Sequence, residues 1–211
     1  MTAAIDAKAL AHDERADLAD LLATLTPDQW EAPTLCPDWC VRDVVAHIFS
    51  YEDLGVGALV RSFLAGGLNA DRVNAAGVAR FADYSTDDLV AMVRERLQPR
   101  GLTSMFGGRI ALTDGAIHHQ DIRRPLGLRR TIPAERLLCV LPFACTAPPI
   151  GARTRIRGLT LTATDLDWTT GTGPVVEGPA EAMLLAIAGR HDTLHELSGP
   201  GQPILASRIG A

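Results

Sequence analysis

Apolar residues recur every three to four positions through the first two thirds of the chain, which is typical of amphipathic helices. Two such stripes are Leu18, Leu21, Leu22 and Leu25, and Val41, Val44, Val45 and Ile48. Start signals such as Ser85 and stop signals such as Pro125 delimit further helical segments. Beyond the first stripe, we predict helices over residues 41–54, 59–64, 73–81, 86–97, 109–124 and 133–145.

The pattern changes after Pro148 and Pro149, where apolar and polar residues begin to alternate. Alternation with a period of two predicts strands at residues 154–157, 159–163 and near 175–177. We then predict helices over residues 179–190 and 192–197, and a last strand at 204–209. The expected fold class is therefore α+β, with an all-α domain at residues 1–148 and a small α+β domain at residues 149–211.

Composition narrows the classes of protein to which the chain could belong. Of its 211 residues, 47% are hydrophobic and 21% charged, enough to bury a substantial core without disulfides. The net charge of -5 and the lack of long basic runs argue against a nucleic-acid partner. No apolar run reaches the roughly 18 residues that a membrane span needs. The first ten residues do not resemble a secretory signal, so we expect a cytoplasmic protein whose four cysteines are free thiols.

The predicted helix 109–124 carries ionisable residues on its inward face. At about 100° per residue, Asp114, His118 and Asp121 fall on the side that also holds Ile110 and Ile117. Burying such groups without a partner costs roughly several kcal/mol of folding free energy. A shared cation would offset that cost.

His47 lies at the edge of the apolar stripe of the helix 41–54, so it can also face the interior. Two imidazole nitrogens and one carboxylate oxygen are a ligand set typical of zinc, and three protein ligands leave a position open. The residues alone allow other interpretations. His47 and His118 could be hydrogen-bonded core histidines, and Asp114 with His118 could be an ion pair between successive helical turns.

Two motifs resemble the mycothiol-dependent maleylpyruvate isomerase family. Trp30, the loop 33–39 and the segment 41–47 match its W…PT-CPGW-V-DV-AH pattern, and residues 114–121 match its E-x-x-x-H-x-x-D pattern. The stretches 178–181 and 188–190 resemble its small C-terminal domain. The resemblance implies a DinB-like metal-binding four-helix bundle followed by a sterol-carrier-like α+β module.

The resemblance also implies roles for individual residues. His47, Asp114 and His118 would bind a divalent metal, most simply Zn²⁺, and mycothiol would be the co-substrate. From their positions alone, Asp121 on the inward stripe could orient a ligand histidine or form a buried hydrogen bond or salt bridge with an arginine. Asp43, four residues before His47, could orient His47 or be a solvated acid at a helix start. The family usually has Glu where this chain has Asp114, and Gly where it has Asp38.

By the same resemblance Arg190 would bind a substrate carboxylate, although a cation at the end of a helix is equally explained by the helix dipole. The leading hypothesis is a metal-dependent S-transferase or isomerase whose partners are a small thiol and an electrophilic substrate. In isomerisation the metal-activated thiolate adds to a conjugated double bond and later leaves. A binding protein without turnover, favoured slightly by Asp114, is the alternative, and an unrelated helical protein with a structural polar core is a third. The resemblance leaves a homodimer open.

Overall fold

The computed structural model describes residues 6–52, 54, 57, 61 and 69–209. Contacts group the chain into two compact units, residues 1–130 and residues 131–211. The boundary predicted at residue 148 falls inside the second unit. The reason is that the helix at residues 134–144 packs on a helix of that unit.

The first unit is helical. A 3₁₀ segment, Gly101–Gly108, leads into the last helix of this unit. Its helices are α1 (Ala7–Leu22), α2 (Pro27–Trp30), α3 (Val41–Ser50), α4 (Ala70–Ala79), α5 (Thr86–Glu95) and α6 (Arg109–Arg123). The helices predicted near 41–54, 86–97 and 109–124 are thus confirmed with earlier ends, and the one predicted near 73–81 is confirmed with a start three residues earlier and an end two residues earlier. The helix predicted at 59–64 lies outside the described residues except at Arg61.

Local chemistry explains where these helices begin. The Thr26 side chain accepts a hydrogen bond from the Gln29 amide at the start of α2, and Ser85 accepts one from Asp88 at the start of α5. Such caps satisfy amide groups that have no partner inside the helix. The apolar stripe of α3 is buried in the core with residues of α1 and α5. The helix α6 belongs to the same bundle, because it packs on both α1 and α3.

The second unit combines helices with a three-stranded sheet. Its elements are α7 (Ala134–Ala144), α8 (Ala152–Arg155), β1 (Thr160–Ala163), β2 (Thr169–Gly171), β3 (Val175–Gly178), α9 (Ala180–Ile187) and α10 (Gln202–Ile209), with 3₁₀ turns at Pro148–Ile150 and His191–Glu196. The strand order is β2-β1-β3, antiparallel between β1 and β2 and parallel between β1 and β3. Leu161 of β1 pairs with Val176 of β3, and both side chains are fully buried. The predicted α+β fold class is confirmed.

Two strand predictions in the second unit were wrong. Residues 154–157 lie at and beyond the end of the short helix α8, and residues 204–209 form most of α10. Both stretches are too short for the sequence to separate a period of two from a period of 3.6. In α10 only Leu205 is buried, whereas a half-buried strand would bury every second residue.

None of the helices in the described part of the chain combines the length and the hydrophobicity that a membrane span requires.

Candidate metal centre

Two helices of the first unit bring the predicted ligands together. His47 lies in the last turn of α3, and Asp114 and His118 lie one turn apart on α6. One donor atom from each of the three residues lies within 4.8 Å of the other two. The sequence prediction that these residues share a face and meet across helices therefore agrees with the geometry.

The geometry is close to what a small cation requires. His118 Nε2 lies 3.5 Å from Asp114 Oδ1, and the rings of His47 and His118 are 4.9 Å apart and nearly perpendicular. Ligands at 2.0–2.1 Å from a tetrahedral ion are roughly 3.3 Å from one another, so a modest contraction would complete the set. The shorter carboxylate of Asp114 thus reaches the site. Both histidines are buried, whereas the side chain of Asp114 is 33% exposed, which leaves one side of the centre open.

The second nitrogen of His118 has a defined partner. Its Nδ1 lies 2.8 Å from Oδ2 of Asp121, a carboxylate that is fully buried. An ionised carboxylate only accepts hydrogen bonds, so Nδ1 carries the proton and Nε2 points toward Asp114. Through this contact Asp121 could orient His118, the role predicted for it, with Nε2 on the side of Asp114.

Charge near His118 is strongly negative without a cation. Burial lowers the pKa of His118, but the carboxylates of Asp114 and Asp121 outweigh it and raise that pKa to about 10. Before any ion binds, the two carboxylates therefore favour a proton on Nε2 as well as on Nδ1. A metal ion would take the place of the proton on Nε2.

Cys36 also contacts this centre, although the sequence indicated no more than a free thiol. Its Sγ donates to Asp121 Oδ2 at 3.1 Å and lies 3.6 Å from His118 Nδ1. Cys36, His118 and Asp121 thereby form a second group whose donor atoms lie within 4.8 Å of one another. Cys36 lies in the loop 33–39, called the motif loop below, directly before α3. The sequence shows this position, but it does not show that the loop packs on α6.

Aromatic rings flank the other histidine. The ring of Trp39 lies 4.7 Å from that of His47, and Tyr51 meets His47 edge-on at 5.8 Å. Burial, with a smaller effect of the Asp114 charge, raises the pKa of Tyr51, which keeps its hydroxyl neutral. Trp39 therefore packs on a candidate ligand.

Asp43 and Arg190 have other contacts. Asp43 Oδ2 accepts from the amide and the thiol of Cys40, both at 3.1 Å, at the first turn of α3. These contacts favour the helix-start role over an orienting contact with His47. Arg190 lies in the second unit between α9 and a 3₁₀ turn, where it donates to the carbonyl of Ala188 at 2.9 Å. That contact is the one expected of a cation at a helix end.

Comparisons with known proteins agree with the motifs. Residues 11–100 match the model of the mycothiol maleylpyruvate isomerase N-terminal domain, which confirms the resemblance. The structure is similar to that of a mycothiol-dependent maleylpyruvate isomerase, with a TM-score of 0.54 at 13% identity, covering 93% of this chain and 92% of that one. A variant of such an isomerase with a histidine replaced by alanine gives a TM-score of 0.59 at 14% identity, with the same coverage. Among curated protein sequences none matches this chain.

Proposed function

We propose that this chain, whose residues 11–100 match the mycothiol maleylpyruvate isomerase N-terminal domain, is a metal-dependent enzyme that uses mycothiol or a related low-molecular-weight thiol. The proposed reaction is S-transfer or isomerisation of an electrophilic small molecule. The observation that carries the proposal is the convergence of His47, Asp114 and His118, whose donor atoms lie within 4.8 Å of one another.

The donor set supports a divalent metal, with zinc as the first choice. Two neutral imidazoles and one carboxylate suit Zn²⁺. When bound, such an ion with an open position lowers the pKa of a coordinated thiol and so supplies a thiolate nucleophile at neutral pH.

The chain's own residues would prepare that chemistry. Asp121 holds His118 in one tautomer, so that Nε2 stays directed at the centre. Trp39 and Tyr51 fix the ring of His47 and exclude water from its faces. Asp114 is the most exposed of the three donors, so a thiol and its electrophile would approach from its side.

For Arg190 we propose binding of a substrate carboxylate, supported by the family resemblance alone. Replacing Arg190 by Ala should raise KM for a carboxylate-bearing substrate and leave the metal content unchanged. A variant with unchanged KM would limit Arg190 to its contact with the helix end.

The metal is tested on the natively purified full-length chain. We expect about one divalent ion per chain by elemental analysis, because the two candidate donor groups among the described residues share His118 and cannot both hold an ion. His47→Ala and His118→Ala should each lose the ion. His12→Ala is the control, since this exposed histidine pairs only with its neighbour Asp13 among the contacts described. Metal-free wild-type protein that also fails to take up Zn²⁺ would contradict the proposal.

Turnover separates the enzyme from a binding protein. The purified chain is incubated with mycothiol and either maleylpyruvate or a bimane electrophile, with and without zinc. We expect thiol consumption or isomerisation that requires the metal and is lost in His118→Ala. Metal binding without turnover of any acceptor would instead support the alternative, a metal- or ligand-binding bundle, which Asp114 in place of Glu favours.

A further inference from the structure

The motif loop contacts both histidine positions of the centre. Its Leu35 amide donates to the backbone carbonyl of Asp121 at 3.1 Å, which ties the loop to the last turns of α6. Thr34 stabilises the loop internally, since its hydroxyl accepts from the Cys36 amide at 3.1 Å and donates to the Trp39 carbonyl at 2.9 Å. The side chain of Cys36 is therefore held in one place against Asp121.

The hydrogen-bond geometry defines the protonation of this group. Oδ2 of Asp121 accepts from His118 Nδ1 at 2.8 Å and from Cys36 Sγ at 3.1 Å. One carboxylate oxygen can accept both bonds only if the sulfur and the nitrogen each carry a proton. Cys36 is thus a neutral thiol donor. It lies on the Nδ1 side of the imidazole, whereas the candidate metal ligands lie on the Nε2 side.

We propose that Cys36 is a positioning residue for the metal centre, acting through Asp121 on His118. Its S–H bond fixes the carboxylate orientation that in turn directs His118 Nε2 to the ion. This inference rests on the proposed metal site formed by His47, Asp114 and His118. It assigns the cysteine of the motif loop a task distinct from ligation.

A role as ligand would need a different arrangement. If Cys36, His118 and Asp121 bound an ion, Nδ1 would have to lose its proton and its bond to Asp121. Nδ1 cannot donate to a carboxylate and bind a cation at once. The two groups that share His118 are therefore alternatives, and thiolate ligation has a separate spectroscopic readout.

The test compares Zn²⁺ affinity, measured by chelator competition, in the wild type and three variants of the full chain. Cys36→Ala removes the donor and should weaken binding about 3- to 10-fold, less than the 10- to 100-fold typical of direct partners of a ligand. Cys36→Ser keeps a donor and should stay within about twofold of the wild type. Cys139→Ala, which removes another buried thiol in the second unit, is the control and should not change the affinity.

Two spectra report on His118 itself. In the zinc-loaded wild type and in Cys36→Ser, the Nδ1–H of His118 should give a slowly exchanging imidazole ¹⁵N–¹H signal, which exchanges faster in Cys36→Ala. The Co²⁺-substituted wild type should lack a thiolate-to-metal charge-transfer band. If Cys36→Ala does not fold, Cys36→Val keeps the volume without the donor.

The outcomes are distinct. Wild-type protein that binds no metal overturns the proposed function and this inference with it. If Cys36→Ala or Cys36→Val binds zinc as tightly as the wild type does, this inference alone is overturned. A charge-transfer band with Co²⁺ would also overturn it, because Cys36 would then be a ligand.

Discussion

Asp38 has a φ of 65°, in the left-handed region that residues with a side chain rarely adopt. Aspartate tolerates this region better than most residues, but the conformation still costs it free energy, whereas glycine adopts it without steric strain. The resembling family has Gly at this position, so the backbone of the motif loop explains the family's preference. Because residue 38 is exposed, backbone strain is the main effect of a substitution there on stability.

We therefore expect Asp38→Gly to stabilise the protein by about 0.5–1 kcal/mol and Asp38→Ala to destabilise it by a similar amount. Glycine relieves the strain and loses part of the gain to the greater freedom of the unfolded chain. Urea unfolding of the two variants, followed by circular dichroism, measures the difference. Equal stability of the two variants would show that the left-handed backbone does not limit stability here.

Most of the candidate site could be predicted at the residue scale, for a simple reason. Asp114, His118 and Asp121 belong to one helix, so their spacing alone places them on one face. Cys36 could not be predicted in the same way. Its partner is 85 residues away, and the contact depends on how a loop packs against α6.

Helices α1 and α6 are joined by a buried polar network. The imidazole Nδ1 of His119 donates to Glu14 at 2.9 Å, and its Nε2 accepts from Arg123 at 2.8 Å. These contacts require a neutral His119 with its proton on Nδ1. Burial, together with the charges of Arg130 and Arg123, lowers the pKa of His119 to about 4. His119 is thus a structural residue that links α1 and α6.

The network predicts how stability depends on pH. Burial alone would raise the pKa of Glu14, but the hydrogen bond from His119 and the charge and hydrogen bonds of Arg130 lower it from 4.5 to about 2. A depressed carboxyl pKa stabilises the fold above pH 4.5, and that contribution is lost as the pH falls toward 2. The contribution is on the order of 3 kcal/mol.

Glu14→Gln should therefore destabilise the protein by about 3 kcal/mol at pH 7, since it also leaves Arg130 without its buried charge partner. Below pH 4.5 the variant should lose stability less steeply than the wild type. Chemical unfolding at a series of pH values tests both statements. Asp13→Asn, at a largely exposed position on the same helix, is the control and should change stability by less than about 0.5 kcal/mol. Parallel pH profiles of Glu14→Gln and the wild type would contradict the assignment.

The start of α3 allows the role of Asp43 to be decided. Its carboxylate accepts from the Cys40 amide, so removing it leaves an amide at the helix end without that bond. Asp43→Ala should cost about 1 kcal/mol of stability and leave Zn²⁺ affinity within about twofold of the wild type. A loss of metal affinity beyond tenfold with unchanged stability would instead support the predicted orienting contact with His47.

Element predictions succeeded where long amphipathic stripes met clear caps, as in α3, α5 and α6, and failed where segments were short. Across the end of α8 the alternation of Thr154 and Ile156 with arginines suggests a strand. The helix forms after Gly151 adopts a left-handed φ of 71°, and the Arg155 guanidinium donates to the carbonyl of Ile187 at 3.1 Å. That tertiary contact is invisible in a four-residue pattern.

At the scale of the molecule, the candidate metal ligands all lie in the first of the two compact units. The division after residue 130 could not be predicted from the sequence, because the helix α7 has the same amphipathic character as the helices of the first unit. What separates it is its partner, since it packs on α9. A ligand that binds three residues of one unit should stabilise that unit selectively.

This expectation can be measured by hydrogen exchange of the full chain with and without Zn²⁺. At an ion concentration of about 100 times Kd, binding contributes roughly 2.7 kcal/mol, which slows exchange about 100-fold for openings that release the ion. The slowing should be concentrated in α3, α6 and the loop 33–40, because these elements carry the ligands and their supports. Amides of β1, β3 and α9 should exchange at unchanged rates.

The variant His47→Ala provides the matched control, since it removes one candidate ligand without substituting any residue of α6. In that variant zinc should leave exchange in α6 unchanged. If zinc slowed exchange equally in both units of the wild type, the ion would be bound by residues other than His47, Asp114 and His118. If zinc slowed exchange only around Cys36 and Asp121, in His47→Ala as well as in the wild type, the ion would occupy the second donor group. That group shares His118 but does not need His47.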